Sequence, residues 1–263
     1  MNKLAAEAVR RPAPAGAVVS AVGASLLAGV VLLVLQDGVL AAAAVVVLAL
    51  LAWRSGSAAS VVAVLMSGLL YLALSVGIFG LWPLPGAVAV LAAWTLARRS
   101  ERAGLWQSWC RRGTATPELP WLLLMTVAVT VVALVTWQRA FQGQLPQAYV
   151  DAAAGRPLWL LALGGAGFSL LNAAVEEAVF RGVLQTALER VSGPAVAVAA
   201  QAAAFGALHV FGIPGGIIGA VMAGSWGVLL GVLRWRTGGV LAPYVAHVAA
   251  DATIFRMLLP ALM

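Results

Sequence analysis

Asn172-Ala173-Ala174-Val175-Glu176-Glu177-Ala178-Val179-Phe180-Arg181 lies inside an otherwise apolar run from Leu158 to Leu188. An ionisable side chain at the centre of a bilayer costs about 2.5–3.5 kcal/mol on insertion scales, so two adjacent carboxylates and a guanidinium in such a run need a chemical reason. On an α-helix, residues four apart share a face. That spacing sets Glu177 beside Arg181 as an ion pair and turns Glu176 about 100° around the axis. Ser169, Asn172 and Glu176, three and four residues apart, form a second polar stripe that carries no cation. Of the two acids, Glu176 is therefore the one suited to general-base chemistry.

The rest of the chain supports a membrane setting for this stretch. Hydrophobic residues are 63% of the 263 and charged residues 10%, with a mean hydropathy of +1.00. Such a composition excludes a soluble globular domain and a disordered chain, and predicts an all-α polytopic integral membrane protein. The formal charge of +7 does not indicate nucleic acid, because the basic residues are scattered through short segments between apolar runs. Cys110 is the sole cysteine, which excludes an intrachain disulfide and a cysteine-rich metal cluster. Its basic, tryptophan-bearing surroundings read as an interfacial loop.

Outward from the glutamate helix, apolar periods and breakers divide the chain into eight to nine transmembrane helices. The spans run over 15–35, 39–53, 58–82, a short fourth ending at 97, 121–137, the glutamate helix at 158–188, then 194–211, 214–233 and 240–259. Polar connections at 98–120 and 138–157 flank the fifth. With the N-terminus inside, one face collects Lys3, Arg10, Arg11, Arg54, Arg98, Arg99, Arg102, Arg111, Arg112, Arg190, Arg234 and Arg236, and the other only Arg139, Arg156 and Arg256. Twelve against three fixes the N-terminus on the cytoplasmic side by the positive-inside rule. The expected location is a bacterial inner membrane. Gly215, Gly219, Gly227 and Gly231 in the eighth span form small-xxx-small pairs, which mark it as a packing element.

The two histidines both fall inside predicted spans. His209 continues a four-residue stripe with Gln201 and Phe205, and His247 stands four residues before Asp251, so imidazole and carboxylate share a face. Three spans thus bring polar side chains into the bilayer. Keeping Glu176, Glu177, Arg181, His209, His247 and Asp251 there for helix pairing alone is the weaker explanation, since each is costly.

Glu-Glu-x-x-x-Arg, Phe-x-x-x-His and His-x-x-x-Asp, in this order on successive spans, resemble the CAAX-protease and bacteriocin-processing family of intramembrane proteases. That family includes type II CAAX prenyl endopeptidases and lysostaphin-resistance-protein-A-like proteins. The likeness covers 158–259, which sets apart an intramembrane protease core from N-terminal spans and a basic cytoplasmic loop at 1–157. It implies an active site inside the C-terminal helix bundle and hydrolysis of a peptide bond in a membrane-anchored, lipidated or hydrophobic-tailed protein. By position, Glu176 becomes the general base that activates water with His209, Glu177 and Arg181 brace the helix, and His247 and Asp251 support the oxyanion. Many members have asparagine where this chain has Asp251, and an ionised carboxylate cannot donate to an oxyanion. A glutamate mechanism requires no cofactor. Zinc is the alternative, held by Glu176, His209, His247 and Asp251. The partners implied are the lipid bilayer and a membrane-associated protein or peptide substrate. A proton- or ion-coupled transporter and a non-catalytic immunity factor are the rival uses of the same polar cluster.

Overall fold

A computed structural model describes residues 110–141, 150, 151 and 153–262, together with Pro83, Gly86, Ala87, Val90 and Leu91. The predicted spans at 15–35, 39–53 and 58–82, and nearly all of the fourth, lie outside the described residues. Within them, the elements of regular structure are all helical: α1 (Leu119–Phe141), α2 (Leu158–Glu177), a π-helical segment (Ala178–Gln185), α3 (Thr186–Leu208), a 3-10 turn (His209–Phe211), α4 (Gly216–Thr237) and α5 (Leu241–Leu262). One compact unit holds Arg112–Phe180 and Val198–Met263, and Arg181–Ala197 belongs to another.

The first of these helices is inside-out by the standards of a soluble protein. Thr126, Thr130 and Leu134, four residues apart, form the buried stripe of α1, whereas Trp121, Leu124, Met125, Val129 and Val132 are exposed. Lipid rewards that arrangement, because tails solvate the apolar side chains and the hydroxyls need internal acceptors. Thr130 Oγ1 accordingly donates to the Thr126 carbonyl at 2.6 Å. The helix extends beyond the predicted span at both ends, to Leu119 and to Phe141. Gln138 and Arg139 are good helix formers, and a cation in the last turn suits the helix dipole, so polarity there does not end the helix.

The same inversion marks α2. Its buried face is Gly165, Ser169, Asn172, Ala173, Val175, Glu176 and Glu177, while Leu158, Trp159, Leu163 and Leu170 point outward. At Ala178 the backbone widens into π-helix for eight residues. Gly193, at φ 76°, then kinks α3 just before Pro194, the residue where the sequence predicts the next span to begin.

Small residues set the approach of α3 to α4. A Cβ on Gly206 would stand 2.5 Å from the Ala220 carbonyl oxygen and 2.9 Å from Gly224 Cα, and one on Gly227 would meet Ala202 Cα at 3.2 Å. Gly224 and Gly227 of α4, three apart, face α3 at this contact, and Gly227 belongs to one of the small-xxx-small pairs in the sequence. Gln201 on α3 fastens the contact by donating to the Gly227 carbonyl at 2.8 Å. Gly238, at φ 70°, ends α4, its N–H bonded to the Arg234 carbonyl. The chain reverses there into α5, which packs on α2, α1 and α4. Leu230 and Leu233 of α4 and Ala246 of α5 are buried together, with Leu119, Leu122, Leu123 and Val127 of α1 and Trp226 of α4 packed around them.

Three described helices, Leu119–Phe141, Leu158–Gln185 and Gly216–Thr237, are long and apolar enough to cross a membrane, and Ser192–Leu208 is a shorter apolar helix. The protein is an integral membrane protein. α5 matches the others in length, but His247, Asp251 and Arg256 lower its apolar content. His247 and Asp251 belong to the buried polar cluster, whereas Arg256 is exposed.

Candidate active site

His247 is the hub of the buried polar groups. It is 1% exposed on α5, and its two ring nitrogens face different carboxylates of α2. Nδ1 lies 2.7 Å from Glu177 Oε1, and Nε2 lies 3.5 Å from Glu176 Oε2. Consecutive helical residues project about 100° apart, so adjacent glutamates can reach opposite sides of one ring wedged between them. A carboxylate only accepts, hence Nδ1 carries the proton that bonds Glu177. The charge-assisted bond orients the imidazole, as a carboxylate does for the histidine of a hydrolytic triad.

Asp251 enters the cluster from the turn of α5 below His247. Its Oδ1 lies 3.8 Å from His247 Nε2, the i, i+4 neighbourhood that the sequence predicts. Its Oδ2 accepts a 2.9 Å bond from Asn172 Nδ2, across seventy-nine residues of chain. The Asn172–Glu176 stripe thereby faces α5, while Ser169 turns its hydroxyl back to the Gly165 carbonyl at 2.8 Å. A Cβ on Gly165 would stand 2.6 Å from the Phe255 ring, so a glycine there lets α2 and α5 close on each other.

His209 comes from the junction of α3 with the 3-10 turn. Its Nδ1 lies 2.9 Å from the Phe205 carbonyl oxygen and must donate to it, which leaves the neutral ring with its acceptor at Nε2. The ring packs on Phe205 at a centroid distance of 4.3 Å. Phe205, wholly buried, also reaches His247 at 6.1 Å and Phe180 at 5.0 Å. The Phe-x-x-x-His spacing thus uses its aromatic ring as the wall between two imidazoles. Gly212 makes room beside His209, since a Cβ there would stand 3.1 Å from His209 Cδ2.

One member of the cluster has no counterpart in the sequence reading. Trp226 of α4 meets His247 edge to face at 4.7 Å and Phe205 at 6.0 Å. It sits in the glycine-rich span read as packing alone, and no charge or motif draws attention to it.

The remaining predicted site residue, Arg181, is fully buried on the π-helical segment, in the unit that includes Arg181–Ala197. The backbone passes from α-helix to π-helix at Ala178, between Glu177 and Arg181, and Glu177 Oε1 lies 2.7 Å from His247 Nδ1. Within an otherwise α-helical span, a π-helical interruption is a feature frequently found at functional sites.

Among the described residues no group of three or more histidine, cysteine or acidic side chains is arranged to hold a metal ion. His247 Nδ1 is turned to Glu177 and His209 Nδ1 to a backbone carbonyl, so in each ring Nε2 is the nitrogen directed elsewhere.

Residues 157–253 match the family described as Type II CAAX prenyl endopeptidase Rce1-like. The matched segment contains all six of the polar residues picked out in the sequence and agrees with the family resemblance drawn from their motifs. No curated protein and no solved structure matches the chain. The match favours a protease over the transporter and immunity-factor readings.

Proposed function

Starting from an Rce1-like segment at 157–253, we propose that this protein is an intramembrane endopeptidase of glutamate type that cleaves a membrane-associated protein or peptide substrate. The observation that carries the reading is the buried imidazole of His247, oriented by Glu177 and set against both Glu176 and Asp251. In this mechanism Glu176 removes a proton from water as the water oxygen attacks the scissile carbonyl. His209, its Nδ1 proton committed to the Phe205 carbonyl, accepts the water's second hydrogen bond at Nε2 and aims the oxygen. His247 supports the tetrahedral intermediate, with Glu177 and Asp251 orienting the ring. Glu176 then returns its proton to the leaving nitrogen, the C–N bond breaks, and a carboxylic acid and an amine are the products, the acid giving up its proton on release. Arg181 braces the helix that carries both glutamates.

Burial suits the chemistry. Water-poor surroundings strengthen each charge interaction within the site, and the helices exclude bulk water from the reacting carbonyl. The substrate class follows from the family's name and the setting: a lipidated or hydrophobic-tailed protein delivered through the bilayer. The test compares N- and C-terminal peptides in cells carrying the wild type and Glu176→Gln. Peptide ends present only with the wild type are expected, and an unchanged set of ends in the variant refutes the assignment.

A further inference from the structure

Amide hydrolysis turns a carbonyl oxygen into an oxyanion, and preorganised donors aimed at that oxygen are commonly the largest single contribution to rate. Around His247 most donors are already spent on internal acceptors. His247 Nδ1–H is directed at Glu177, Asn172 Nδ2–H at Asp251, and His209 Nδ1–H at the Phe205 carbonyl. Asp251, as an acceptor from Asn172, offers oxygen rather than hydrogen to the site.

Trp226 is different. Its Nε1 is buried and has no hydrogen-bond partner among the described residues. The indole that bears this N–H stands against His247 and Phe205, on the border of the proposed reaction centre. Packing holds the indole in place: Trp226 lies against buried Leu230, Leu233 and Ala246, one residue before the Gly227 that brings α4 onto α3. Burying an indole N–H without an acceptor costs about 1–3 kcal/mol, a cost that an arriving acceptor removes. Indole is donor only, so the acceptor it fits is an oxygen such as a peptide carbonyl.

We infer that Trp226 Nε1–H is the donor that binds the scissile carbonyl oxygen and stabilises the oxyanion formed from it. The inference rests on the protease reading and adds a specific group to it. No bond to Trp226 forms or breaks; its proton stays on nitrogen while the oxygen gains charge.

The test places 3-benzothienylalanine at position 226 by genetic incorporation, keeping the bicyclic shape and replacing N–H by sulfur. Glu176-dependent peptide ends are quantified in cells carrying the wild type, this variant, Trp226→Phe, Trp226→His and Glu176→Gln. With the fold intact by thermal unfolding of the purified protein, cleavage is expected to drop about 100-fold in the benzothienyl and phenylalanine variants. Trp226→His restores a ring N–H and is expected to recover part of the loss. Wild-type cleavage in the benzothienyl variant, alongside loss in Glu176→Gln, overturns the role of Trp226 and leaves the protease reading standing. Peptide ends unchanged in Glu176→Gln overturn both.

Discussion

His247 Nδ1 and Glu177 Oε1 stand 2.7 Å apart although seventy residues separate them in the chain, and both side chains are almost wholly buried. The bond ties α5 to α2 at the depth where the hydrolytic groups collect. In Glu177→Gln the amide can present either oxygen or N–H to the ring, so the imidazole loses its fixed tautomer. Cleavage is expected to fall about 100-fold or more, with substrate binding kept, as kinetics on proteoliposomes can separate. Glu177→Ala leaves a buried ring donor unsatisfied and lowers stability by about 3 kcal/mol in detergent unfolding.

The Asn172–Asp251 bond yields a reciprocal test. Asn172→Asp sets two carboxylates against each other and lowers stability by about 1–3 kcal/mol, whereas Asp251→Asn retains a donor and an acceptor and costs less. The double exchange, Asn172→Asp with Asp251→Asn, restores the bond in the opposite sense. Its unfolding midpoint should exceed that of Asn172→Asp alone, which a double-mutant cycle measures. A midpoint no higher than that of the single variant counts against the contact.

Close packing of α3 on α4 positions His209 three residues beyond Gly206. Gly206→Val drives a branched side chain into the Ala220 carbonyl and Gly224, and overpacking of this kind costs about 1–3 kcal/mol. Cleavage should decline with stability. Ala203→Val, on an exposed position of the same helix, should leave both near wild type when the two are assayed side by side.

Cys110 supplies a prediction in pH. Burial disfavours the thiolate and raises the thiol to about 11, so at pH 8 only about 0.1% of it is ionised and reactive. Alkylation by a soluble maleimide should therefore be slow at neutral pH, gain about tenfold for each unit of pH, and level off near pH 11. A rate matching that of a free thiol at pH 8 contradicts the burial of this side chain.

Metal removal separates the two catalytic types. Under the proposed glutamate mechanism, in which Glu176 and His209 activate water without an ion, activity is expected to survive exhaustive chelation. Activity that vanishes with the chelator and returns with stoichiometric zinc points instead to a metalloprotease.

The sequence by itself determined the membrane setting, the helices from Leu119 onward, and the three that carry Glu176, His209 and His247. Those features follow from local chemistry: apolar length, a carboxylate or imidazole among alkyl side chains, a proline or glycine at a break. Beyond the His247–Asp251 neighbours on one helix, tertiary structure decided which groups meet. The passage from α-helix to π-helix at Ala178, one residue after Glu177, is a change of register that residue spacing does not announce. The bond from Asn172 to Asp251 and the indole of Trp226 beside His247 depend on how closely α2, α4 and α5 approach. That approach is set by glycines meeting backbone and rings on other helices, a long-range fit that no stretch of sequence carries alone.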